Sequence, residues 1–301
     1  MKKIVHYIFL LLFSFCANAQ VQLVVLGTAQ DAGAPQIGCT KSCCASKWTS
    51  GEKAFVVALG VVDPENNSHY LFEATPDIGQ QLYDLANESK TEFLAGVFLT
   101  HAHIGHYSGL MYVGKEALGG KNIPVHAYPR MRDYLQSNGP WEQLVNDNNI
   151  RLNLLTDNPV KLSEQLKVIS FKVPHRDEYS ETAGFKIIGP NKTALFIPDI
   201  DKWERWETAI EEVIKEVDYA FLDATFFDGT ELPNRDMNAI PHPFVIESMN
   251  RFSSLEASEK EKIYFIHFNH TNPLLNMNSE AVQRVKKNGF KIARKGLKLL
   301  L

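Results

Sequence analysis

Leu99-Thr100-His101-Ala102-His103-Ile104-Gly105-His106-Tyr107-Ser108-Gly109 packs three histidines into six residues, out of ten in the whole chain. The run before it, Phe93 to Leu99, is apolar and strand-like, and the segment from Tyr107 to about Leu118 reads as a helix. The histidines therefore occupy a tight turn at the carboxyl end of a strand, where the backbone can aim several imidazoles at one point. Neutral imidazole suits zinc, iron or copper, and three such ligands leave a coordination position for a catalytic water. The competing reading is a polar loop that is rich in histidine by coincidence.

The same junction recurs along the chain. His175 follows the run Val168 to Val173, Asp199 follows Thr193 to Ile197, Asp223 follows Tyr219 to Leu222, and His267 follows Ile263 to Ile266. Strand ends on one edge of an open sheet are where such sheets place their sites. A single strand-end histidine is more often structural, but the series argues for one shared site. The remaining β-rich runs are Val21 to Leu26, Phe55 to Val62, His69 to Ala74, Pro124 to Ala127, Thr182 to Ile188 and Phe290 to Ala293. Helices are expected over Asp77 to Asn87, Arg130 to Asn146, Trp203 to Glu216, His242 to Arg251 (opened by Pro241) and Ser279 to Lys287. Asn288-Gly289 would stop the last one, since glycine suits the left-handed residue past a helix end. Thr28 to Lys53 reads as a long polar loop. The pattern predicts one α/β domain over residues 20–301, with β-rich halves inside and helices outside: a four-layer αββα sandwich.

The chain has 301 residues, is 45% hydrophobic and 22% charged, and carries a formal charge of −4, an ordinary globular balance. No basic patch stands out, so nucleic acid is not the expected partner, and the electrostatics suit an enzyme with a local metal centre; a small-molecule substrate, anionic if the phosphodiester reading below holds, is expected. Residues 1–19 read as a signal peptide. Lys2 and Lys3 form its positive start, Ile8 to Phe15 its apolar core, and Ala17-Asn18-Ala19 its cleavage site, which makes Gln20 the mature start. This predicts a periplasmic or secreted protein. Lipidation at Cys16 is disfavoured by bulky Phe15 before it. No later stretch is long and apolar enough to span a bilayer. Removal of the signal leaves Cys39, Cys43 and Cys44. An exported chain would normally pair its cysteines, but adjacent residues such as Cys43 and Cys44 rarely form a relaxed disulfide. C-x-x-x-C-C looks instead like a metal knuckle that lacks one ligand.

The histidine turn resembles the H-x-H-x-D-H signature of the metallo-β-lactamase superfamily, with Gly105 at the aspartate position. In chain order the superfamily places that turn, a lone histidine, a lone aspartate and a final histidine, here His175, Asp199 and His267. The resemblance implies the metallo-β-lactamase fold, with His101, His103 and His175 on a first metal, Asp199 bridging, and His106 and His267 on a second. Asp201 is a nearby rival for Asp199. Gly105 would leave the second position without its usual carboxylate, so one or two catalytic ions are expected, zinc first, with manganese or iron open. Gly27, Pro35-Gln36, the cysteine cluster and the ending His267-Phe268-Asn269-His270 resemble the PQQ synthesis protein B family and the cyclic phosphodiesterases of phosphonate breakdown. In the latter, three cysteines and a histidine hold a structural zinc, which would fall on Cys39, Cys43, Cys44 and His270. Asp223-Ala224-Thr225 followed by His242 resembles the acid–histidine pair of tRNase Z-like phosphodiesterases, in which the histidine protonates the leaving oxygen; the alternative is that His242 merely packs at a helix start. Together these imply an exported hydrolase, of phosphodiesters in the first instance, that uses a metal-activated water. The alternatives are an iron-dependent oxidative enzyme like PQQ synthesis protein B, and a non-catalytic binding protein on a degenerate site, which Gly105 favours.

Overall fold

Gln22 to Gly27 alternates in an instructive way. Leu23 and Val25 face one hydrophobic cluster, and Val24 and Leu26 face another. Successive strand side chains point to opposite faces, so a strand that is apolar on both must lie between two layers. Leu71 and Phe72, Val97 and Phe98, and Phe221 and Leu222 divide in the same way.

A computed structural model of the protein describes residues 20–91 and 93–301. The proposed signal peptide, 1–19, lies outside them. The strands are β1 (Gln22–Gly27), β2 (Ala58–Asp63), β3 (Ser68–Phe72), β4 (Leu94–Phe98), β5 (Ile123–Ala127), β6 (Ile150–Leu154), β7 (Val160–Lys161), β8 (Lys167–Lys172), β9 (Ala183–Ile188), β10 (Thr193–Ile197), β11 (Tyr219–Asp223), β12 (Ile263–Ile266), β13 (Lys291–Ile292) and β14 (Lys298–Leu300). They form two seven-stranded sheets, ordered β14-β1-β2-β3-β4-β5-β6 and β13-β12-β11-β10-β9-β8-β7. Each sheet is antiparallel through one part and parallel through the other, with β3 to β6 and β10 to β13 running parallel. Between the sheets lies a core that includes Phe72, Phe98, Phe185, Phe196 and Phe221. Full burial of each such ring contributes about 1.5–3 kcal/mol. The helix Ile78–Ser89 packs outside the first sheet, and Ile210–Lys215, Val245–Arg251 and Glu280–Lys287 pack outside the second. Three hydrophobic interfaces between four layers make the αββα sandwich. Among the described residues no helix is long and apolar enough to cross a membrane.

Several local expectations are corrected. The helix after the histidine turn is shorter and starts inside it: Ile104–Tyr107 is one turn, followed by a tighter turn over Ser108–Val113. Gly109 is pressed onto the backbone there, its N–H bonding the Ala74 carbonyl at 2.9 Å, and a Cβ would lie 2.0 Å from Thr75 O. The polar loop 28–53 contains a helix, Ser42–Ser50, that buries only Cys44 and so shows no apolar stripe. Gly139-Pro140 splits the expected helix 130–146 in two. His242 precedes its helix, which begins at Val245.

Candidate metal centre

The parallel strands end side by side, and their terminal residues meet at one rim between the sheets. Donor atoms of His101, His103, His175 and Asp199 lie within 4.8 Å of one another, and so do those of Asp31, His106 and His267. Asp199 Oδ2 sits between the two groups, 3.3 Å from His101 Nε2, 3.2 Å from His175 Nε2 and 3.8 Å from His106 Nε2. His101, His106 and His267 are almost wholly buried.

Each imidazole is turned by a partner behind it. Thr100 Oγ1 donates to Glu73 Oε1 at 2.6 Å, so the same oxygen accepts from His101 Nδ1 at 2.8 Å. His106 Nδ1 donates to Glu73 Oε1 at 3.0 Å. Thr225 Oγ1 donates to Asp223 Oδ1 at 2.7 Å and accepts from His267 Nδ1 at 2.8 Å. His175 Nδ1 faces Asp201 Oδ1 at 3.3 Å. A proton fixed on Nδ1 leaves Nε2 as a lone pair aimed inward. His103 is reversed: its Nε2 faces Glu178 at 3.3 Å, and its Nδ1 lies 2.8 Å from His101 Nε2. Asp201 thus stands behind His175, while Asp199, its sequence rival, occupies the centre.

The donor set fits metal ions. Asp31 Oδ1, His106 Nε2 and His267 Nε2 are buried without any hydrogen-bond partner. Buried polar atoms are nearly always paired, and three unpaired ones gathered within 4.8 Å of one another are what cation coordination would satisfy. The backbone is strained there too. Asp31 (φ 26), Glu73 (φ 79) and His267 (φ 68) all adopt positive φ, whereas the other such non-glycine residues among those described are Asn67, Asn122 and Asn148 in turns and Lys90 at a helix end. Strain of order 1–3 kcal/mol per residue persists only where the surroundings enforce it.

Beside this cluster, His242 Nδ1 lies 2.9 Å from Asp223 Oδ2 and 3.1 Å from Asp199 Oδ1. Burial pulls its pKa down, but the two carboxylates outweigh that and hold it well above the ordinary imidazole value. His242 lines a cavity of about 350 Å³ together with Gln30, Arg176, Arg235 and Asn269.

No side chain fits at Gly105. A Cβ there would lie 2.4 Å from the Cα of Asp31, so the backbone of another segment already fills the space. Asp31 Oδ1 approaches His106 Nε2 at 3.5 Å. Nothing local in the sequence marks Asp31. Glu73, also missed, obeys the strand-end pattern, as the acid that closes the apolar end of β3.

The cysteine cluster forms as well. Donor atoms of Cys39, Cys43, Cys44 and His270 lie within 4.8 Å of one another. Cys43 Sγ is 3.9 Å from both Cys39 Sγ and Cys44 Sγ, and the buried His270 Nδ1 has no partner.

Against known proteins, a family model described as "Beta-lactamase superfamily domain" matches residues 68–268. The chain is similar to the coenzyme PQQ synthesis protein B of Methylobacterium sp. (strain 4-46), 23% identical over 93% of this chain and 100% of that protein. Among solved structures it is similar to zinc-bound PqqB from Methylobacterium extorquens, at 22% identity and a TM-score of 0.77, covering 93% of this chain and 100% of that one. It is also similar to a diphosphatase of the PhnP family, at 20% identity and a TM-score of 0.65, covering 94% and 97%.

Proposed function

The chain belongs to the β-lactamase superfamily, and we propose that it is an exported metal-dependent hydrolase of small anionic phosphodiesters. The carrying observation is the set of inward-facing, unpaired nitrogen and oxygen donors at the rim, with the His242–Asp223 pair next to it. His101, His103, His175 and Asp199 are the residues to hold one ion, and His106 and His267 with Asp199 a second; zinc comes first, with manganese or iron as alternatives. Cys39, Cys43, Cys44 and His270 have the thiolate and imidazole chemistry of a structural zinc site. A bound metal supplies Lewis acidity and lowers the pKa of a water.

The protein's own groups account for the rest. Arg176 and Arg235 line the cavity that His242 enters, and guanidinium matches phosphate oxygens in a planar fork. In hydrolysis a water oxygen bonds to phosphorus and the ester P–O bond breaks. The departing oxygen leaves poorly as an alkoxide and needs a proton. His242, held between Asp199 and Asp223, is the group to give it. Asp223 then stabilises the ring's orientation through Nδ1. The export reading rests on residues 1–19.

A second reading, an oxidative enzyme using iron at the same histidines, is supported by the full-length similarity to PQQ synthesis protein B. The protein loaded in turn with zinc, manganese and iron should be assayed on a linear and a cyclic phosphodiester. Turnover that disappears on chelation, and that falls in His242→Ala while metal content is retained, is the expected result. No phosphodiester turnover with any of the three metals overturns the hydrolase reading, and dioxygen uptake with iron alone would favour the second.

A further inference from the structure

We infer that Asp31 supplies the carboxylate of the second metal position, in place of the side chain that Gly105 lacks. The inference rests on the metal-centre reading above, but not on the choice of substrate. Asp31 comes from the loop after β1, far from the histidine turn in sequence. The loop is delivered by backbone pairing beside His267: Phe268 N–H bonds Thr28 O at 2.8 Å, and Gln30 N–H bonds Phe268 O at 2.8 Å. The Asn269 amide fastens the Gln30 side chain at 2.7 Å. The next residue, Asp31, is thereby brought against the open side of His106.

Three independent features converge on it. Its Oδ1 is buried and without a hydrogen-bond partner, although 34% of the side chain remains exposed. The imidazole nitrogens that it joins, His106 Nε2 and His267 Nε2, are likewise buried and unpaired. Its backbone is held at φ 26, a conformation that costs free energy and that aspartate tolerates better than most residues. Gly105 completes the arrangement. Any Cβ at 105 would meet the Asp31 Cα at 2.4 Å and its Oδ1 at 2.5 Å. An aspartate in the turn and the Asp31 loop in this position are therefore mutually exclusive. The glycine is the space through which the replacement carboxylate enters. The hard oxygen donor remains available, moved from one chain segment to another, and it offsets the repulsion of two adjacent cations.

The test is a manganese titration of the protein, followed by metal analysis and by the electron paramagnetic resonance of the bound ions. Manganese prefers oxygen and nitrogen donors to thiolate, which keeps the cysteine cluster out of the count. Wild type should bind two ions with the spectrum of a coupled pair. Asp31→Asn keeps size and conformational tolerance but removes the charge. It should bind one uncoupled ion, with second-site affinity weakened beyond the roughly 10–100-fold typical of losing an outer-shell partner. Gly105→Ala, which removes no donor, should also weaken the second ion by displacing the loop. Melting temperature checks folding, and Asp31→Gly, freer in φ, replaces the Asn variant if that one fails to fold. A coupled pair retained in Asp31→Asn or Asp31→Gly overturns the inference. So does a wild-type protein that takes up one ion only, or a Gly105→Asp variant with a better filled second site. Absence of phosphodiester turnover, by contrast, would count against the substrate reading and leave this one standing.

Discussion

The histidine–aspartate rim and the cysteine cluster both gather metal-binding donors, yet they are built on opposite plans. At the rim, strand ends deliver the side chains, and buried partners such as Glu73, Thr100, Asp201 and Thr225 turn the rings. Each ring is thus held by a protein group as well as by anything it binds. At the cysteine cluster, Cys39 lies in a loop, Cys43 and Cys44 on the first turn of a short polar helix, and His270 in a second loop. Cys39 and Cys43 are half-buried, and their thiols touch chiefly one another. Burial and the neighbouring Cys39 and Cys44 push the Cys43 thiol up to about 12, so the sulfurs resist ionising together without a cation. The difference teaches that the rim's donors are held by partners of their own, whereas the cluster's donors come from two loops that an ion there would tie together.

Predictions that break or sharpen this contrast begin with the rim. The triple replacement of His101, His103 and His175 by Ala should remove the most tightly held ion and bring turnover to background, with a modest change in melting. Wild-type metal content after dialysis would end the ligand assignment. At the cysteine cluster the order should invert. Cys39→Ser or His270→Ala should lower the melting temperature by roughly 5–10 °C, since ion binding there is folding free energy, while the metal content of the rim stays constant. Unchanged melting in both variants, or a Cys43 thiol that reacts freely in the native protein, would contradict that.

Preorganisation itself is tested at Glu73, which touches no expected ion but holds both Thr100 and His106. Glu73→Gln should weaken metal affinity at the His106 side by about 10–100-fold, as read by titration calorimetry. An unchanged affinity would show that the rings need no such support. The smallest effect at neutral pH concerns a histidine outside the rim. His69 is buried with only Ser89 Oγ beside Nδ1, at 2.9 Å, and burial lowers its pKa to about 4. The unfolded chain binds that proton more readily, so the neutral ring stabilises the fold above about pH 6.5. This contribution is lost as pH falls from 6.5 toward 4, by on the order of 3 kcal/mol in full. His69→Gln should flatten the acid limb of a urea-denaturation series over that window and change little at pH 7; an unaltered limb would refute the assignment.

Legibility along the chain follows the range of the interactions. Strands whose two faces are both apolar announced themselves, and β12, Ile263–Ile266, matches its expected limits residue for residue. The helix Ser42–Ser50 did not, because a helix with one buried residue has no periodicity to detect. His242 was placed on a helix by Pro241, yet it lies before the helix, which frees its ring to reach Asp223. Gly105 read as a missing ligand because a motif is judged one position at a time, and the chain that fills the gap crosses from elsewhere.

The order of residues along the chain, taken alone, determined the four-layer architecture and the strand-end placement of His101, His103, His106, His175, Asp199 and His267, with Asp199 nearer its strand end than Asp201; the grouping of the cysteines with His270 came from the family resemblance. Alternation of apolar residues and the chemistry of strand ends are local properties, legible without coordinates. Tertiary structure alone decided which nitrogen of each imidazole faces inward, that Asp201 stands behind His175, and that Asp31 stands where Gly105 leaves room. These depend on contacts that only the fold brings together, and the place of Asp31 is fixed by pairing of the loop after β1 with the loop after β12. Such a pairing leaves no periodic trace in either partner, because it is the closeness of two backbones, and not the identity of a side chain, that brings the carboxylate to the histidines.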